Sequence, residues 1–260
     1  MQSLASKTAV VTGGATLIGQ AVVHALHECG ANVVVADIDT DAGSKVAADY
    51  DVSFVRTDVT DDESIADCLA TARAKYGGVD ILVNLACTYV DDGMFSSRPQ
   101  WTEALNVNLV GTALFATAAR PYLIERGGGA IVNFSSISAK VAQTGRWLYP
   151  ASKAAIVQLT RSMAMDMASD HIRVNSVSPG WTWSNGMIDA TGGDRAKTDR
   201  VAAPFHFPRR TAEPTEVGAV VAFLCTDAAS FVTGADWAVD GGYSAMGPEQ
   251  TLPAKAQLSE

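Results

Sequence analysis

The sequence has no cluster of basic residues, and its 19 lysines and arginines are outnumbered by 28 acidic side chains, for a formal net charge of −9. Nucleic acid and anionic membrane surfaces are therefore poor partners for it. No apolar run reaches the roughly 18 residues of a membrane span. The opening Met1-Gln2-Ser3-Leu4-Ala5-Ser6-Lys7 lacks the long apolar stretch of a secretory signal. Cysteine is scarce: Cys29, Cys68, Cys87 and Cys225 are widely scattered and make no CxxC pair. That pattern points to buried thiols in a reducing cytosol rather than to disulfides or a metal site. Repeats and interdomain linkers are also missing. The chain has 260 residues, 48% of them hydrophobic, enough for one α/β domain with a large core and too few for a second sizeable one.

What is present is alternation. Thr8–Thr12 reads as a short buried strand, Gly13-Gly14-Ala15-Thr16 as a turn, and Leu17 to Cys29 as a helix ended by Gly30. Asn32 to Asp37 is the next strand, which completes a βαβ unit with glycines at the strand-to-helix turn. Strands follow over 52–57, 79–84, 130–135, 172–177 and 235–240. Helices are predicted over 61–76, with Asp61 or Asp62 near the cap, over 101–125, around Tyr149, and from Pro214. Strands alternate with helices and hairpin signals are absent, so the predicted fold is a Rossmann-type, doubly wound parallel sheet with helices on both faces. One domain over 1–246 is expected, with a polar tail over 247–260 that is disordered by default.

Tyr149-Pro150-Ala151-Ser152-Lys153 organises the chemistry. Ile156, Leu159 and Met163 recur at helical spacing behind it, and Pro150 suits a first helical turn. Positions four apart share a helix face, so Tyr149 and Lys153 can enter one cleft. A free tyrosine titrates near ~10. A nearby ammonium favours the phenolate and brings Tyr149 toward the range where it exchanges a proton with an alcohol or ketone. At the other end, the glycine turn offers backbone N–H groups and a helix N-terminus to a pyrophosphate. Asp37, closing the second strand, can accept hydrogen bonds from ribose hydroxyls and would repel a 2′-phosphate. No Arg or Lys stands in the turn or beside Asp37 in sequence, which favours NAD over NADP.

These residues resemble the short-chain dehydrogenase/reductase family, in its single-domain branch, from Thr12 to Gly242. Thr12-Gly13…Gly19 is similar to its glycine motif, and Asp58-Val59 to its adenine-contacting pair. Asn84-Leu85-Ala86-Cys87 stands where the family has Asn-Asn-Ala-Gly, and Pro179-Gly180-Trp181-Thr182 resembles its nicotinamide-side loop. Asn108 in Val107-Asn108-Leu109-Val110-Gly111, Ser136, Tyr149 and Lys153 resemble its catalytic tetrad, and Val239-Asp240-Gly241-Gly242 its last strand. Of the neighbouring serines 135, 136 and 138, Ser136 is chosen because it lies at the family's usual distance before the tyrosine; Ser138 is a candidate for the pocket wall. The resemblance implies a cofactor site from Gly13, Thr16, Leu17, Ile18, Asp37, Asp58, Val59, Asn84, Tyr149, Lys153, Pro179, Gly180 and Thr182. It also implies that Ser136 holds the substrate oxygen and Tyr149 takes the hydroxyl proton while the substrate carbon passes hydride to the nicotinamide. Lys153 would bind the nicotinamide ribose, and Asn108 would position a water behind it. A homotetramer is implied as well.

The sequence departs from the family pattern in two places. Leu17 replaces the middle glycine of the turn, so its side chain must turn aside or the cofactor must shift. Leu85 and Cys87 replace Asn and Gly; Cys87 is expected to be a small buried thiol. Substrate is expected between Thr88–Met94, Ser138–Trp147 and a mobile lid near 181–210. Trp181, Trp183, Met187, Phe205, His206 and Phe207 in the lid suggest an apolar or cyclic alcohol or ketone, and Arg146 or His206 could meet an anionic group. Three other functions compete: an NAD(H)-binding regulator without turnover, an NADPH-dependent 3-oxoacyl-type reductase, and a cofactor-free dehalogenase-like offshoot. Lys153, Gly13 and Asp37 speak against the last.

Overall fold

A strand covered on both faces needs no polar alternation, and Thr8–Thr12 is buried along its whole length. It is β1 of a seven-stranded parallel sheet with β2 (Asn32–Asp37), β3 (Ser53–Arg56), β4 (Ile81–Asn84), β5 (Gly129–Phe134), β6 (Ile172–Pro179) and β7 (Asp236–Val239). The order is β3-β2-β1-β4-β5-β6-β7, and every pairing is parallel. The computed structural model describes residues 3–248 and Leu258, so most of the expected tail lies outside the described residues.

Helices α1 (Leu17–Glu28), α2 (Thr40–Tyr50), α3 (Asp62–Tyr76), α4 (Arg98–Leu105), α5 (Thr112–Glu125), α6 (Leu148–Asp166), α7 (Asn185–Thr191), α8 (Arg195–Ala202) and α9 (Pro214–Cys225) connect the strands. One face of the sheet carries a core with Val22, Leu26, Val46, Val217 and Val221 from α1, α2 and α9. The other carries Ile65, Leu69, Phe115, Leu123 and Met163 from α3, α5 and α6. The expected doubly wound sheet is thus present. Helix α2 was not expected; the Asp39 side chain caps it by accepting from Ala42 N, 2.9 Å away.

The single long helix expected over 101–125 starts earlier and is divided: α4 and α5 are joined by a π turn over Asn106–Gly111. By length and composition alone, Arg98–Glu125 is apolar enough to cross a membrane. Here its Phe115, Ala116, Ala119 and Leu123 are buried in the sheet core, while Val110, Leu114 and Ile124 are exposed. All four cysteines are thiols; burial pushes Cys68 up to about 11 and Cys225 up to about 12.

Candidate active site

The strand order reverses between β1 and β4, and ligands of such sheets bind outside the carboxyl ends at that point. A cavity of about 930 Å³ opens there, lined by the loops that follow β1, β2, β3, β4, β5 and β6.

At the β1 end, the chain turns on Gly13, which has φ +67°. A Cβ there would lie 2.8 Å from Ala86 N, and a Cβ at Gly19 would run into the Gly13 carbonyl oxygen. Glycine is therefore required where the turn meets the β4 loop and where α1 packs back onto the turn. Thr16 caps α1, its hydroxyl accepting from Gly19 N at 3.1 Å. Gly13, Thr16, Ile18, Asp37, Asp58 and Val59 line this end of the cavity. Asp37 accepts from Ala15 N at 3.0 Å and from Asp39 N at 3.1 Å, which fixes its carboxylate between the glycine turn and the end of β2.

Two residues expected here lie outside the lining. Leu17 is not among the residues that line the cavity, and its N–H donates to Asn185 Oδ1 of α7 at 2.9 Å. Asn84 is buried below the cavity floor, donating to Asn133 Oδ1 at 3.0 Å; Asn133 in turn donates to Thr160. A buried amide must satisfy its own hydrogen bonds, and those partners turn it inward. The register also corrects one point: Arg56 stands directly across from Asp37 on β3. Its side chain is exposed and outside the cavity lining.

At the other end, α6 brings Tyr149 and Lys153 to the wall, together with Ser136 and Ser138. Lys153 Nζ donates to Phe134 O at 2.9 Å, and Ser135 Oγ donates to Lys153 O at 2.9 Å, so Ser135 anchors the helix. Ser136 Oγ accepts from Ser138 N at 3.1 Å, and Ser138 Oγ donates to Gln143 Oε1 at 2.7 Å. Asn108 does not reach the cavity. It sits in the π turn, where its amide donates to Thr88 O at 3.1 Å and Ser152 Oγ at 3.2 Å and accepts from Thr88 N at 2.8 Å. It thus ties the β4 loop to the turn of α6 that carries Lys153.

The electrostatics differ from the simple expectation. Burial pushes the Tyr149 hydroxyl above its ordinary value, as does the Cys87 thiol; the hydrogen bond with Ser136 and the Arg146 guanidinium pull it down. Burial also pulls Lys153 toward its neutral form. Two basic side chains flank the Tyr149 ring, with Arg146 Cζ 4.7 Å and Lys153 Nζ 5.4 Å from its centre, and a cation there favours the phenolate. Tyr89 stacks on the opposite flank with ring centres 5.0 Å apart. Sequence spacing gave no sign of Asp91. It accepts from Trp147 N (2.9 Å) and Tyr149 N (3.0 Å) and caps α6, whose own N-cap residue supplies no side-chain bond.

The segment 181–210 folds as α7, α8 and a short 3₁₀ turn, hinged by Gly192 and Gly193. Thr182 bridges to Ala212 at its base. Trp181, Met187 and Phe205 line the cavity; Trp183, His206 and Phe207 do not. His206 is 2% exposed, its Nδ1 lying 3.0 Å from Ala202 O and its Nε2 accepting from Trp181 N at 3.3 Å, so it braces the loop from behind. Pro179, Gly180 and Thr182 line the wall beside Tyr149 and Lys153.

The cavity has a glycine turn and the Asp37 carboxylate at one end and Ser136, Tyr149 and Lys153 at the other, an arrangement that accords with an oxidoreductase of CH–OH groups. A family model described as enoyl-(acyl carrier protein) reductase matches residues 13–244. The chain is 38% identical over 251 residues to cis-4-hydroxycyclohexanecarboxylate dehydrogenase of Sinomonas cyclohexanicum, covering 94% of this chain and 99% of that one. A crystal structure of a short-chain type dehydrogenase/reductase from Mycobacterium marinum superposes with a TM-score of 0.84 at 32% identity, covering 93% and 96% of the two chains. A 7α-hydroxysteroid dehydrogenase complexed with NADH and 7-oxoglycochenodeoxycholic acid superposes with a TM-score of 0.85 at 28% identity, covering 92% and 95%. The chain belongs to the short-chain dehydrogenase/reductase family.

Proposed function

We propose that this protein interconverts a secondary alcohol and its ketone with NAD as cofactor, on an apolar or cyclic substrate, with Tyr149 as general acid/base. The observation that carries the reading is the gathering of Ser136, Tyr149 and Lys153 on the same cavity that Asp37 closes three strands away. The glycine turn, whose backbone approach a Cβ would block, fits a dinucleotide phosphate, and Asp37 fits an unphosphorylated ribose. Asp58 and Val59 would flank the adenine; Pro179, Gly180 and Thr182 would hold the nicotinamide, and Lys153 its ribose. When bound, the nicotinamide supplies the two-electron acceptor for the carbinol carbon. The chain's own share is orientation and proton transfer. Ser136 holds the substrate oxygen, Tyr149 takes its proton, and Asn108 keeps the Lys153 turn of α6 in place. Trp181, Met187 and Phe205 match the apolar body of such a substrate. The acidic surface and thiols accord with a cytoplasmic protein. Exposed Val110, Leu114, Ile124 and Met165 on the long helices accord with a homotetramer.

Arg56, opposite Asp37, favours a second reading as an NADPH-dependent 3-oxoacyl-type reductase. Titration with NADH and NADPH, following nicotinamide fluorescence, separates the two. Tighter NADH binding is expected; tighter NADPH binding would overturn the Asp37 argument. Turnover of cyclic secondary alcohols with NAD should fall between about a hundredfold and ten-thousandfold in Tyr149→Phe, with NADH affinity kept. A regulator without turnover would show binding alone in both forms.

A further inference from the structure

The charged groups of the cavity are divided between its ends. Asp37 and Asp58 lie toward the adenosine side; Arg146 and Lys153 lie at the catalytic side. Lys153 is buried, with its ammonium directed to Phe134 O. Arg146 is placed differently. It is half-buried on the loop before α6, lines the cavity, and has its Cζ 4.7 Å from the centre of the Tyr149 ring. Among the described residues it forms no ion pair, whereas Arg120, Arg126, Arg195 and Arg210 all do. Of the two acids of the facing loop, Asp91 is occupied by the N–H groups of Trp147 and Tyr149, and Asp92 accepts from Gln100 Nε2. A guanidinium fork beside the proton-transfer group, in a mainly apolar pocket and without a carboxylate of its own, is a built receptor for one.

We propose that Arg146 anchors a carboxylate of the substrate, which is a hydroxylated apolar carboxylic acid whose alcohol meets Tyr149 and Ser136. The proposal rests on reading the site as alcohol-oxidising and adds the substrate's charge and its receptor. One guanidinium balances one negative charge. A phosphate dianion would leave half its charge unmatched against Trp181 and Phe205, and that desolvation is costly. His206, the other side chain expected to meet an anion, is buried behind the loop with Nε2 accepting from Trp181 N, and takes no part.

The test compares cyclohexanecarboxylate with cyclohexanecarboxamide, which has nearly the same shape and no charge. Calorimetric titration of the protein, with and without NADH, needs no turnover. Wild type is expected to bind the carboxylate at least about tenfold tighter than the amide. Arg146→Gln should erase that ratio, and Arg146→Lys should restore part of it; melting curves check that both variants fold. Equal binding of the two compounds by wild type, or an unchanged ratio in Arg146→Gln, overturns the anchor. Oxidation of a ring-hydroxylated cyclohexanecarboxylate with NAD is read alongside. A carboxylate preference that depends on Arg146 without turnover upholds the anchor and removes the alcohol-oxidising reading. Turnover without the preference does the reverse.

Discussion

At the scale of single residues, the structure turns on how Tyr149 releases its proton. Burial holds the hydroxyl up, so oxidation, which needs the phenolate, should speed up as pH rises. Removing Arg146 takes away a cation that favours the phenolate. The rising limb of kcat against pH for a neutral cyclic alcohol should therefore move to higher pH in Arg146→Gln; an unmoved limb means another group sets it. Leu17 gives the opposite kind of expectation. Its side chain lies outside the cavity, so Leu17→Gly should change NADH affinity by less than about threefold, roughly 0.6 kcal/mol. A large gain in affinity would show that the leucine crowds the site. That Ser136, Tyr149 and Lys153 share one cavity wall was legible because their spacing along one helix and beside one strand is a local matter. Arg56 opposite Asp37, the inward turn of Asn84 and the burial of His206 were not, because register and burial are settled by distant strands and loops.

At the scale of elements, α6 is held at its first turn by a side chain from another loop. Burial pushes the Asp91 carboxyl up, but the N–H groups of Trp147, Tyr149, Gly93 and Leu148 outweigh it and hold it below the usual carboxylate range. Asp91→Ala should cost about 1 kcal/mol of stability, the usual worth of a helix cap, and should lower kcat by misplacing Tyr149. Urea denaturation and steady-state rates check both. Asp91→Asn, which can still accept one bond, should recover part of each. The sign with pH follows from the lowered value: the cap contributes fully above the ordinary carboxylate range near ~4 and is lost as pH falls through the native value. Most helices were legible from apolar spacing. Helix α2 was not, because Gly43 and Val46 are its only buried residues and its apolar stripe is correspondingly thin.

At the scale of the whole molecule, one acid joins three distant parts of the chain. Asp80, before β4, is 2% exposed and takes Lys7 Nζ at 3.2 Å, Arg126 Nε at 3.1 Å and Thr8 N at 2.9 Å. It binds the start of β1 to the end of α5 at the amino ends of the central strands, the side of the sheet away from the site. Asp80→Ala should lower the melting temperature through a loss of about 2 kcal/mol, with NADH affinity retained. A fall in affinity with unchanged melting would contradict this separation. Acid should act at the start of α9 too: the Arg210 hydrogen bond, with the Glu213 N–H, holds Glu216 down to about 2 against partial burial. Its contribution is present above about pH 4 and is lost between there and pH 2. The pair is exposed, so Glu216→Gln should change only the acid limb of stability, and slightly. The parallel sheet was legible from alternation. The strand order and the position of β7 were not, because crossovers leave no mark in local sequence.

The π turn has a geometric consequence. One residue more than a regular helix holds is stored between α4 and α5, like a dislocation in a lattice. It sets the phase of α4, which packs toward α6, independently of α5, whose apolar side faces the sheet. Deleting one residue from Asn106–Gly111 would heal the lattice and leave the faces of both halves close to where they are, because the bulge already absorbs the extra residue's roughly 100°. What would be lost is the local displacement that carries the Asn108 amide to Thr88 and Ser152.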